Sequence, residues 1–141
     1  MKPLFYIFVP IFIASSAFGE GSSAEFLAGF VIGQYRLLGQ ETESGATYHG
    51  RAEIKRDGRT LKVKRTIAGK TVWGTAAIEN APMAEKPVLR LRFNEGEKAC
   101  ESTCLIHGDL NNYARLTCHL YRKDGTTRQP GLEALFAVAP R

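Results

Sequence analysis

The sequence predicts an all-β protein, an antiparallel up-and-down β-barrel of about eight short strands, with a β-sandwich as the alternative. Three observations predict it. From residue 30 onward, apolar and polar residues alternate in short runs, the period-two signature of half-buried strands. Turn residues (Gly, Asp, Asn, Pro) divide these runs at spacings of roughly ten to fifteen residues. No ten-residue stretch beyond the N-terminal segment carries a convincing helical stripe. Short connections favour pairing between consecutive strands, and closing the sheet removes edges that would invite aggregation.

The chain opens with Lys2, an apolar run from Leu4 to Ile13, and the small-residue exit Ala14-Ser15-Ser16-Ala17-Phe18-Gly19. These are the three parts of a secretory signal peptide, with Ala17 and Gly19 placed for cleavage. The apolar run is far shorter than the ~20 residues that span a bilayer, and Pro10 interrupts it. Residues 1–19 are therefore predicted to be a signal peptide and residues 20–141 a single β-barrel domain, periplasmic or secreted. No stable membrane insertion is expected after cleavage.

Ser23–Ala28 fits one short helical turn. The predicted strands then run Phe30–Leu38, Thr47–Lys55, Thr60–Ile67, Thr71–Glu79 and Val88–Phe93, followed by the two arms of a hairpin and by Leu132–Val138. Asp57-Gly58 and Ala68-Gly69 supply turn residues that accept positive φ.

The hairpin arms lie in CLIHGDLNNYARLTC, where Cys104 and Cys118 stand seven residues either side of Asn111. With the turn centred there, Cys104 faces Cys118 and Ile106 faces Leu116 on one apolar face. His107, Arg115, Thr117 and His119 then share the other. A one-residue slip would bury that polar set. Opposed Cβ atoms come close enough for a disulfide. A zinc site would need the histidines on the cysteines' face and lacks paired C-x-x-C spacing, so no metal is expected. The disulfide closes a loop of about fifteen residues, contributing ~3 kcal/mol on a chain-entropy estimate. The chain has three cysteines, which leaves Cys100 unpaired unless it competes with Cys104 for Cys118.

Catalytic constellations are missing: there is no G-x-S-x-G elbow, no H-E-x-x-H and no phosphate-cradling Gly loop. The carboxylate pairs Glu41/Glu43 and Glu95/Glu97 fall in turn-like segments. The protein is therefore expected not to be an enzyme and to need no cofactor. A net charge of +5 is mild, and only Trp73 accompanies the basic strands, which argues against nucleic acid.

Two features stand out. Arg65 shares a face with Leu61, Val63 and Ile67, so either it lies wet beyond the rim or it points inward. Pointing inward, it needs a carboxylate, with Glu133 a candidate, or an anionic ligand. Lys55, Arg56, Arg59, Lys62, Lys64 and Lys70 crowd two adjacent strands and form a basic exterior patch. Gly50, Ala52, Gly74 and Ala76 are small inward residues that either leave room for a ligand or permit close packing around Trp73 and the phenylalanines.

Gly33-Gln34-Tyr35, Tyr48-His49-Gly50 and Gly131-Leu132-Glu133 give the chain an outline that resembles small exported bacterial barrels of lipocalin-like or avidin-like architecture. Those families carry Gly-x-Trp on the first strand, the ring plugging the barrel floor; here Tyr35 stands at the Trp position. The resemblance implies a small apolar or amphipathic ligand inside the barrel, contacted by Tyr35, Tyr48, Arg65 and Phe93; the reading of Arg65 as inward-facing adds an anionic ligand and Glu133 to that expectation. Ser44-Gly45-Ala46-Thr47-Tyr48 is also similar to the Ser-Gly-x-x-Tyr element of periplasmic lysozyme inhibitors. That similarity implies an envelope protein as partner, met by a surface loop through Ser44.

Overall fold

The computed structural model describes residues 20–82 and 86–139; the predicted signal peptide lies outside the described residues. One helix, α1 (Glu20–Phe30), leads into eight strands. These are β1 (Gly33–Gln40), β2 (Thr47–Asp57), β3 (Thr60–Ile67), β4 (Lys70–Glu79), β5 (Val88–Glu95), β6 (Lys98–Gly108), β7 (Ala114–Arg122) and β8 (Gly131–Ala137). Each pairs antiparallel with its neighbour, and β1 pairs with β8, closing the barrel. That closure excludes the sandwich. Tight turns fix the register: Asp57 opposes Thr60 around Gly58, and Ile67 opposes Lys70 around Ala68-Gly69. Gly58, Ala68 and Gly69 all take positive φ.

The helix is longer than the single turn expected. It takes in Phe30, the residue assigned to the start of the first strand, which begins at Gly33. Ala24, Leu27 and Ala28 favour helix, but they lack the stripe that periodicity would detect. Phe26 is mostly exposed and stacks on Phe30 one turn on, 6.2 Å between ring centres, so apolar residues lie on both sides of the helix. The described residues include no helix long and apolar enough to cross a membrane.

Val31 and Tyr35 join α1 to the barrel interior, where Leu37, Ile54, Val63, Leu89, Leu116 and Leu135 form the packed centre. The small inward residues serve strand approach rather than a void. A Cβ on Gly74 would lie 2.1 Å from the Arg92 carbonyl oxygen, and one on Gly50 would lie 2.4 Å from that of Thr66. Trp73 takes no part in this packing. It is half exposed on the outer face, with Lys55 Nζ 5.1 Å and Lys64 Nζ 5.4 Å from its ring centre.

Candidate functional site

Alternation along β2, β3, β5, β6 and β8 turns five polar or aromatic side chains into the barrel at the end opposite α1. Four of them are sequence-predicted: Tyr48, Arg65, Phe93 and Glu133. The fifth, Ser102, was missed, although its place between Cys100 and Cys104 on β6 puts a hydroxyl at an inward position. Its exposure is 0%.

Glu133 is the hub. Arg65 donates from Nη1 to Oε2 at 2.9 Å and from Nη2 to Oε1 at 2.5 Å. Tyr48 Oη donates to Oε1 at 2.5 Å and Ser102 Oγ to Oε2 at 3.1 Å. The backbone explains why Tyr48 reaches it. Gly39 of β1 lies between Tyr48 and Glu133 in register, and a Cβ there would meet the Tyr48 ring at 2.4 Å. Only glycine lets the ring cross that strand. The Arg65 guanidinium also lies over the Phe93 ring, 4.1 Å from its centre.

Arg65 therefore points inward: its side chain is 2% exposed and that of Glu133 is 0%. The alternative of a wet arginine beyond the rim is overturned, because a bidentate carboxylate compensates its burial. Burial alone would raise the Glu133 pKa, but the Arg65 hydrogen bonds and charge outweigh it and hold the carboxyl low. Burial opposes the charge on Arg65 too, and Glu133 again prevails, raising its pKa. Tyr48 is pushed up by burial first and by the Glu133 charge second. The cluster is a neutral pair with a neutral phenol, and its carboxylate accepts four hydrogen bonds. Nothing in it is poised to move a proton at neutral pH.

Tyr35 stands apart. Its hydroxyl donates to the Val31 carbonyl at 2.6 Å, tying the helix exit to β1, and burial pushes its pKa up to about 12. It closes the helical end of the barrel.

Cys104 and Cys118 are direct partners in the β6–β7 register and are joined by a disulfide inside the barrel. His107 and His119 stay on the outer face, where His107 Nε2 meets Thr117 Oγ1 at 3.3 Å. Cys100 is free and buried, on the wall of an open cleft of about 380 Å³ shared with Thr42, Glu95 and Arg122. Burial, then the Glu95 charge, raises its thiol pKa, which keeps it protonated and a poor nucleophile.

Ser44 sits exposed on the β1–β2 loop at this same end. Its Oγ donates to Glu41 Oε2 at 2.9 Å and accepts from the Ala46 amide at 3.2 Å. Glu43 braces the loop against the β7–β8 connection: its Oε1 accepts from the Arg128 amide at 2.7 Å, and its own amide donates to the Gln129 carbonyl at 3.1 Å.

A second charged network, also missed in the sequence, lies on the outer face across β4 to β7. Arg92 grips Glu79 through both terminal nitrogens, at 2.6 and 3.0 Å, and reaches Glu101 Oε2 from Nε at 2.7 Å. Arg90 pairs with both carboxylates, and Tyr121 donates to Glu101 at 2.6 Å. These residues alternate correctly for the exterior, but the cross-strand register that joins them is visible only in the folded chain. No family model matches the chain, and a search of curated proteins finds no relative.

Proposed function

We propose that this protein is an exported, non-catalytic binding module whose barrel is a solid scaffold and whose recognition takes place at its ends and outer face. One observation carries the reading: Tyr48, Arg65, Ser102 and Glu133 satisfy one another inside the barrel. A ligand entering there would have to break a buried bidentate ion pair, a loss of about 3–5 kcal/mol before any gain. The close strand approach at Gly50 and Gly74 supports the same view. Export is supported by the N-terminal sequence and by the disulfide, a bond of oxidising compartments.

Native mass spectrometry tests this on the protein as its own cell processes it, beside the Tyr48→Phe and Ser102→Ala variants. Any ligand carried by the wild type is expected to remain in both variants. A mass excess present in the wild type and lost from the variants would make the barrel a vessel and sink the scaffold reading.

The braced β1–β2 loop favours a second reading, an envelope-protein partner met through Ser44. A loop already ordered loses little entropy on binding. Retention of a captured partner by Ser44→Trp would count against it.

A further inference from the structure

A cleft of about 1150 Å³ lies beside the helical end and runs onto the outer face of β1, β2 and β3. Its lining combines two chemistries. Phe30, Ile32, Tyr113 and Val138 are apolar or aromatic, the last three each about two-fifths exposed. Arg36, Arg51 and Lys64 are cationic, with Glu53 the one carboxylate of the lining.

The arginines are placed against their own interest. Arg36 and Arg51 are direct cross-strand partners, and like charges facing across an antiparallel pair destabilise it. Among the described residues neither forms an ion pair, as is also true of Arg59, Arg115, Arg122 and Arg128, while Arg56, Arg65, Arg90 and Arg92 are paired. Exposed guanidinium groups beside exposed apolar side chains are the two halves of an amphiphile site. Arginine recognises carboxylate and phosphate in a fork geometry, and an apolar wall of this kind excludes water from a hydrocarbon chain.

We propose that this cleft binds an amphipathic anion, with its hydrocarbon chain along Phe30, Ile32 and Val138 and its acidic headgroup between Arg36 and Arg51. The proposal rests on the scaffold reading above, since it places recognition outside the barrel. The ligand chemistry is shared by a free fatty acid and by an anionic lipid presented in a bilayer.

Titration calorimetry on the processed, oxidised protein tests it with three probes: dodecyl phosphate, dodecyltrimethylammonium and inorganic phosphate. Dodecyl phosphate is expected to bind one to one below its micelle concentration. The cationic surfactant and the chain-free phosphate should bind on the order of tenfold more weakly or less. Arg36→Gln/Arg51→Gln should weaken dodecyl phosphate by a similar factor, while Tyr48→Phe leaves its affinity unchanged. Unchanged thermal unfolding in the double variant would show that the loss is one of binding.

Sedimentation with phosphatidylglycerol and phosphatidylcholine vesicles assigns the source. Pelleting with the anionic vesicles alone, abolished by Arg36→Gln/Arg51→Gln, identifies bilayer lipid. Dodecyl phosphate binding without pelleting identifies a free amphiphile. Equal affinity for the two surfactants, or no effect of the arginine changes, overturns the proposal. Absence of all probe binding refutes the cleft alone and leaves the scaffold reading standing. Loss of binding in Tyr48→Phe but not in the arginine variant refutes both.

Discussion

Replacing Glu133 by glutamine keeps the side-chain shape but removes the charge that balances Arg65. The wild-type carboxylate accepts four hydrogen bonds, two of them from a guanidinium that is 2% exposed. A hydrogen bond to a charged group is worth ~1.5–3 kcal/mol by deletion, and four of them on one group do not add. Removing one partner from a buried ion pair costs about 3–5 kcal/mol, because the other charge is left uncompensated. For a domain of this length that corresponds to a fall in Tm of roughly 10–20 °C. Guanidinium unfolding with the disulfide intact would measure it, read as a lower midpoint at constant slope. Arg65→Met/Glu133→Leu should recover most of the loss, since a well-packed apolar pair often matches a buried ion pair. A Glu133→Gln variant within about 1 kcal/mol of wild type would refute the claim that the interior pair is intact and dry.

Three further outcomes follow from the same coordinates. Cys104→Ser/Cys118→Ser should cost ~3 kcal/mol in chemical unfolding, the chain-entropy value for a disulfide whose cysteines are fourteen residues apart. Stability should be flat near neutral pH and fall on both sides. Glu79, Glu101 and Glu133 have lowered carboxyl pKa values, so their contribution is present above the ordinary range near about 4 and fades as pH falls through their folded values. Tyr35 has a raised pKa of about 12 and Tyr48 is raised as well, so theirs is full below about 10 and is lost as pH rises through the folded values. Circular dichroism melts across pH, with phenolate absorbance in the alkaline limb, would check both signs. Gly74→Ala should destabilise by about 3 kcal/mol, since its Cβ would press on the Arg92 carbonyl, and a melt unchanged from wild type would contradict that packing.

Strand alternation made the barrel legible because each strand has one wet and one dry face. β3 runs from Thr60 to Ile67 as the pattern predicts, and the Cys104–Cys118 register follows from the turn placed at Asn111. The same alternation put Arg65 on the inward-facing side of β3 with Glu133 as a candidate partner, but it left open a wet arginine beyond the rim, which the buried pair overturns. Parity also puts Trp73 outside, between the inward Val72 and Gly74. What alternation does not carry is depth or partner. Ser102 looks like any strand serine until the opposite wall brings Glu133 to it. The Glu79–Arg90–Arg92–Glu101 network joins residues up to twenty-two positions apart, through the β4–β5 and β5–β6 registers. The helix escaped because Phe26 faces solvent while Phe30, which stacks on it, packs against the core, so no continuous apolar stripe marks a buried face.

The pattern of charge pairing bears on the site proposed at the helical end. The outer arginines of β5, Arg90 and Arg92, are matched by Glu79 of β4 and Glu101 of β6, and the inner arginine of β3 by Glu133. Arg56 and Lys62, near the β2–β3 turn, meet Glu25 and Asp57. Each of those pairs holds neighbouring elements together and leaves little field for a partner, because a matched pair looks neutral beyond a few ångströms. Lys55 and Lys62 face each other across β2 and β3 as well, but Lys62 meets Asp57 and Lys55 lies over the Trp73 ring. The facing Arg36 and Arg51 have no such partner among the described residues and stand near exposed apolar side chains; the acid proposed for the cleft would relieve their repulsion.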